Sequence, residues 1–347
     1  MDETIKINTK KYNLIDVVKF ILAILIMIIH SEIDKTVLSP ILRVAVPLFF
    51  IISAYFFFRK LTKIEEKTER RKALFHFVKR NLLLYIIWAI IQLPLIIYFR
   101  DYYLNFFPNG LLSVLKDFLQ GSMFTGSWFI VALVLAVILI YFASKKIPAW
   151  LILLLTVPIY VLCCFSSNYF GLFPDSSFLV SFFRGYESVF GVAFYTSLPA
   201  ALFWVAAGNF FAKNEFSFKK FYLYIAFAVS AVCIAVERYF IVRYNLQNTD
   251  DCYFSLMLLC PLLFLIILKH NVSINSSFKF RELSTIIYVA HGSAERIVGF
   301  ALKKFMTENN VTNSLKVVIS FCLILAVGYL IILLRTKVRL KPLKYIC

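Results

Sequence analysis

The chain predicts an all-α fold: a polytopic transmembrane bundle of about ten spanning helices with both termini in the cytoplasm. Three observations carry this. Hydrophobic residues make up 61% of the 347 positions and charged residues only 16%, and the mean hydropathy is +0.82, far above a soluble domain of this length. The apolar residues fall in continuous runs near twenty long, the length of a bilayer-crossing helix, where a membrane barrel would show short alternating segments. The basic residues gather in every second connection.

Reading apolar runs against polar breaks gives spans at 13–31, 37–58, 81–99, 127–143, 149–166, 188–212, 219–241, 252–268, 283–302 and 315–334. The stretch 106–126 holds Pro108, Asn109 and Gly110, and its apolar pattern is broken by Lys116, Asp117 and Gln120. It is too polar to span and predicts an interfacial or re-entrant helix. Residues 167–187, rich in Phe and Ser, predict a second segment outside the bilayer that could cap a cavity. One transmembrane domain over 1–347 accounts for the whole sequence. The basic tail after the tenth span leads us to expect no added soluble domain.

Orientation follows from the cations. With the N-terminus inside, Lys6 to Lys11, Arg59 to Arg80, Lys145–Lys146, Lys213 to Lys220, Lys269 to Arg281 and Arg335 to Lys344 all face the cytoplasm. The opposite side collects Glu32, Asp34, Asp101, Asp175, Glu187, Asp250 and Asp251. The net charge of +18 is thus a signal of topology and of attraction to anionic lipid, and it does not imply nucleic-acid binding. Asp16 and Lys19 interrupt the first apolar run and no small-residue cleavage site follows, so an uncleaved first helix is expected. The seven cysteines show no metal-ligand spacing, and neither a metal site nor a disulfide is expected.

Charges inside spans are costly in lipid and mark function. The first span carries Asp16, Lys19 and His30 on one helical face, with Lys19 and His30 about 16 Å apart along the axis. Asp16 has an alternative use as a partner for Lys19 one turn away. Arg43 sits at the outer end of the second span, before Pro47. It can snorkel to the headgroups or enter a cavity, and the short loop from the first span puts it at the depth of His30. His291 lies in the ninth span, either as a packing residue or as part of a cavity. His76 and His270 fall in cytoplasmic segments and read as solvated.

In order along the chain, Lys19 with His30, Arg43-Val-Ala-Val-Pro47-Leu-Phe-Phe-Ile-Ile-Ser53-Ala54-Tyr55, Val78-Lys79-Arg80-Asn-Leu-Leu-Leu-Tyr85-Ile-Ile-Trp88, Gly126-Ser127-Trp128-Phe129 and Ser284-Thr285-Ile-Ile-Tyr288-Val-Ala-His291 resemble the landmarks of the acyltransferase-3 integral membrane acyltransferases. These enzymes acylate bacterial surface sugars and related acceptors. Two positions depart from the family pattern. Lys19 stands where an arginine is usual, keeping the charge and losing the planar fork, and Ala54 stands where a glycine is common.

The resemblance implies transfer of an acyl group, in the first instance acetyl, from cytosolic acyl-CoA to a hydroxyl of an envelope glycan or small acceptor, in the bacterial cell membrane. No cofactor would be held permanently; acetyl-CoA is a substrate, membrane lipid a partner, and association as a homodimer is left open. Acyl transfer needs a base for the hydroxyl proton and positive charge for the carbonyl oxygen. His30 is the expected base and Arg43 the expected cation, with Asp16 and Lys19 as a supporting polar track and His291, Trp128 and Tyr288 as second cavity residues. Arg70, Arg71, Lys79 and Arg80 are the expected contacts for the CoA phosphates, although inner-face cations can equally serve topology alone. The rival reading is a transporter or flippase of a sugar or amino acid, since intramembrane charge is also what a carrier needs.

Overall fold

A computed structural model of the chain describes residues 13–33, 38–99, 110–216, 219–270, 272, 278–307 and 310–337. Both chain ends, whose cytoplasmic placement is expected above, and Pro108–Asn109 of the interfacial segment lie outside these. Among the described residues there are helices and connections and no strand. The long helices are α1 (Asn13–His30), α3 (Ala45–Leu61) after a short α2 (Ser39–Leu42), α4 (Lys67–Phe99), α6 (Trp128–Ala143), α7 (Ala149–Ser166), α9 (Leu198–Lys213), α10 (Lys220–Arg243), α11 (Leu256–Lys269), α12 (Phe280–Leu302) and α13 (Asn310–Lys337). Each falls on one of the apolar runs. Five segments, Ser39–Leu61, Lys67–Tyr98, Ala149–Ser166, Lys220–Arg243 and Val311–Arg335, are individually long and apolar enough to cross a bilayer. Large apolar side chains such as Ile90, Val232 and Leu330 point outward on these segments, as does Leu139 on the shorter apolar helix α6. In water that surface would be a liability; in lipid it is the solvent-facing side. The chain is a multi-pass helical membrane protein.

The two non-spanning segments are helical as well. Leu111–Gln120 forms α5, an amphipathic helix closed by left-handed Gly121 (φ +76°). Phe178–Phe190 forms α8, whose Ser177 side chain accepts from the Val180 N–H and which ends at left-handed Gly191 (φ +65°). That ending corrects the predicted span at 188–212. Gly191 stops one helix, Pro199 lies in the first turn of the next, and α9 starts only at Leu198. At the third span the difference is the reverse, since α4 begins at Lys67, well before the apolar run. Its first turns are exposed and polar, so the hydropathy scan could not see them.

Helix α9 packs along α3, where Gly208 permits a close approach of the two backbones. A methyl group on Gly208 would stand 2.6 Å from the Ala54 Cβ and 2.7 Å from the Ile51 carbonyl oxygen. The glycine that is usual beside Ser53 is therefore supplied from across the interface, and the Ala54 methyl fits because Gly208 has none. Gly208→Ala should destabilise the protein by about 1–3 kcal/mol through overpacking, and adding Ala54→Gly should recover part of it. Thermal unfolding in detergent measures both, and an unchanged Gly208→Ala midpoint would remove this contact from the account.

Helices α1 and α12 run parallel and in extensive contact. At their starting end Asp16 Oδ1 lies 3.6 Å from Arg281 Nε, and Phe20 meets Phe280 edge-on at 5.5 Å between centroids. At the far end Glu32 pairs with Lys316 of α13 at 2.8 Å. The connection between α10 and α11 is knit across that same far end. Arg43 Nη1 donates to Asp251 Oδ1 at 2.5 Å, Asp250 accepts from Ser39, Arg238 and Tyr253, and Glu237 accepts from the Phe254 and Ser255 N–H groups at 2.6 and 2.8 Å. Glu237 thereby satisfies backbone donors at the start of α11 that no helical carbonyl can reach.

Candidate functional site

The end of the bundle that holds Asp16 and Arg281 opens into a cavity of about 310 Å³ bounded by α1, α3, α4, α6 and α12. Lys19, Lys60, Arg80 and Arg281 line it with His76, and no carboxylate is among its described lining residues. Lys60, His76, Arg80 and Arg281 are exposed, so they form the rim. Along α3 the lining runs from Lys60 back through Phe57, Phe56, Ser53 and Ile52 to Phe49, one face of the helix over about 16 Å. Ser284, Thr285 and Tyr288 carry the α12 wall to the same depth. The result is a cationic mouth leading into an aromatic interior, with ring centroids of Phe49 and Tyr288 6.0 Å apart.

Beyond Tyr288 stand two histidines. The rings of His30 and His291 stack with centroids 5.0 Å apart and planes 29° from parallel. They come from the last turn of α1 and from the middle of α12, and 261 residues separate them in sequence. His291 is fully buried, and its Nδ1 lies 2.7 Å from the Tyr288 carbonyl oxygen. A carbonyl only accepts, so Nδ1 carries the proton of a neutral ring and Nε2 keeps a lone pair. Nε2 is buried and meets no hydrogen-bond partner among the described residues.

Three contacts fix this part of α12. The Tyr288 hydroxyl donates to the Gly126 carbonyl oxygen, and Gly126 adopts φ +80°, which a side chain would strain. Ser127 pins that turn, its hydroxyl lying 2.7 Å from the Gly121 and 2.6 Å from the Phe124 carbonyl oxygens. Gly292 takes the Thr125 side chain so closely that a Cβ would lie 2.3 Å from Thr125 Oγ1. From α4, Gln92 donates to the Val289 carbonyl at 2.9 Å and accepts from the Ser293 hydroxyl. Residues on both sides of His291 are thus tied down, and Gln92, 3% exposed, has both ends of its amide used.

Of the residues singled out from sequence, the fold brings together Arg80 at the cavity rim, Lys19 in its wall, Tyr288 at its depth and the His30–His291 pair behind it. Asp16 engages Arg281. Trp128 packs on Phe50 at 6.1 Å and is not among the cavity-lining residues. Arg43 is held by Asp251 on the α10–α11 connection. Arg70, Arg71 and Lys79 are exposed on α4, outside the cavity lining, and Arg70 Nε donates to the Ile64 carbonyl at 2.6 Å. Sequence reasoning missed Arg281 and His76 at the rim, and Gln92, Ser293 and Thr125 around His291, while Lys60 belongs to the basic stretch Arg59 to Arg80 already read as cytoplasmic. Gln92 did leave a signal, an amide in the apolar run 81–99. One helical turn past His291, on the same face, the Glu295 carboxyl is also buried at 5% exposure. No group of three or more His, Cys, Asp and Glu among the described residues is placed to hold a metal ion.

The comparisons with known proteins cover the elements that build this site. A family model described as an acyltransferase domain matches residues 12–333. A serine/alanine racemase of Enterococcus gallinarum is 26% identical over 341 residues, 93% of this chain and 46% of that protein. Two amino-acid racemases of Enterococcus faecalis match at 25% over 262 residues and 24% over 353, covering 72% and 96% of this chain and 35% and 47% of theirs. The chain spans less than half the length of these relatives. No solved structure matches it. The match from α1 to α13 takes in the cationic cavity and both histidines, and the chain belongs to the acyltransferase-3 family.

Proposed function

We propose that the chain is a membrane O-acyltransferase that moves an acetyl or similar acyl group from acyl-CoA to a hydroxyl acceptor of the cell envelope. The observation that carries this is a cavity with Lys60, Arg80 and Arg281 at its mouth, Lys19 in its wall and Tyr288 at its depth, next to the stacked His30 and His291, with ring centroids of Tyr288 and His291 6.3 Å apart. The basic rim suits the phosphates of CoA, which Arg80, Arg281, Lys60 and Lys19 would hold, while the acyl arm follows the α3 face inward. The acceptor hydroxyl gives its proton to His30, backed by His291, and its oxygen bonds to the thioester carbonyl carbon. The C–S bond then breaks and the proton returns to the CoA sulfur as the thiol leaves. Arg43, anchored by Asp251 at the His30 end of the bundle, is the cation we assign to the developing oxyanion.

The positive-inside rule puts the cationic rim in the cytoplasm and His30 near the outer surface, with ten crossings and both termini inside. Reporter fusions at residues 65 and 347 should both give cytoplasmic signals, and an exterior signal from either would overturn the topology. For the reaction itself, purified protein in vesicles is supplied with labelled acetyl-CoA and envelope glycan. Covalent transfer of label supports the enzyme. A second reading takes only its ligand class, an amino acid, from the names of the relatives: an amino acid passes through the same cavity without chemistry, since charge within the membrane is also what a carrier needs. Amino-acid flux in the absence of acetyl-CoA, with no label transfer, would favour that carrier.

A further inference from the structure

A second cavity, of about 630 Å³, lies away from the histidines, between the α2–α3 corner and helices α10 and α11. Ile41, Val44, Phe227, Ile234, Leu259 and Leu263 make its walls, and Arg238 is the one charged residue among its described lining. From Phe227 to Arg238 the lining follows α10 for about 16 Å, about half of a 30 Å hydrocarbon core. The groove therefore has the depth of a single leaflet, with its cation at the end where headgroups lie.

The arginine is presented in an unusual way. Its Nη1 donates to Gln247 Oε1 at 2.7 Å and to Asp250 Oδ1 at 2.9 Å, which uses both hydrogens on that nitrogen. Its Nε is buried and has no acceptor among the described residues. A buried, unpaired N–H calls for an explanation. The Nε and Nη2 hydrogens form the edge of the guanidinium that grips a phosphate through two parallel bonds.

We propose that this groove binds an anionic glycerophospholipid of the bilayer, one acyl chain lying along α10 and the phosphate on the Nε–Nη2 edge of Arg238. Bulk membrane lipid is abundant enough to fill such a site by mass action even at modest affinity. The proposal stands apart from acyl transfer, since neither histidine nor the cationic rim takes part.

Native mass spectrometry of the purified full-length chain, titrated with phosphatidylglycerol, diacylglycerol and a polyprenyl phosphate, tests it. The unmodified protein should retain one phosphatidylglycerol and prefer it over diacylglycerol by about tenfold or more, the worth of one charged hydrogen-bonded contact. Arg238→Lys keeps a cation for Asp250 and lacks the fork, so that preference should collapse. Ala231→Trp fills the groove and should lose both lipids. Equal preference in the unmodified and Arg238→Lys proteins, full retention in Ala231→Trp, or displacement of phosphatidylglycerol by equimolar polyprenyl phosphate would each overturn the assignment.

Discussion

Replacing His30 by Ala should lower acyl transfer per folded molecule by about 10²–10⁴-fold, the usual contribution of a general base. His291→Ala should do comparable damage, because it removes both the ring stacked on His30 and a free Nε2 lone pair. The double replacement should cost little more than the worse single one, since groups acting as a unit do not add. Leu139→Ala, on the lipid-facing side of α6, should leave the rate unchanged and controls for reconstitution. Initial rates of label transfer from acetyl-CoA, normalised to monodisperse protein, provide the readout. Near-normal transfer by His30→Ala would remove this site as the seat of chemistry.

Reversing two rim charges, Arg80→Glu with Lys60→Glu, should weaken CoA binding by about 100-fold at low salt, from the loss of two charge-assisted contacts. The defect should shrink as ionic strength rises, because the rim is exposed and therefore screened. Arg70→Glu with Arg71→Glu changes net charge by the same amount outside the cavity and should cost much less. Calorimetric titration of both pairs separates a shaped phosphate site from a general basic surface. Equal losses in the two pairs would leave only the general surface.

How much of this was legible in the sequence depends on the range of the physics involved. Hydropathy is local, so the helices fell where the apolar runs fell, and the misses came where that signal is silent: the polar first turns of α4 and the Gly191–Pro199 break before α9. His30 and His291 were each visible as costly residues in apolar spans, but their meeting depends on which face of α12 packs against α1, and nothing local encodes that. The expected phosphate contacts show the same limit. Charge density pointed to Arg70, Arg71, Lys79 and Arg80 together, whereas of these only Arg80 lines the cavity, beside Lys60 of α3 and Arg281 of α12. The departure at Ala54 is understood only in pairs, because the space it needs is left by Gly208 on another helix.

The separation of the cationic rim from the two histidines acts as a ruler. Lys19 and His30 are eleven residues apart on one straight helix, about 16 Å, and no rearrangement of side chains alone brings them together. In the reaction proposed above, a donor held at both ends must keep its phosphates and its acyl carbon that far apart, on a slender arm that runs past Phe49 and Tyr288. Acetyl phosphate, with its acyl carbon and phosphorus joined through a single oxygen, can occupy the mouth or the histidines and never both. On that proposal, donor length, set by the register of α1, is a means of selection that needs no contact with the acyl group.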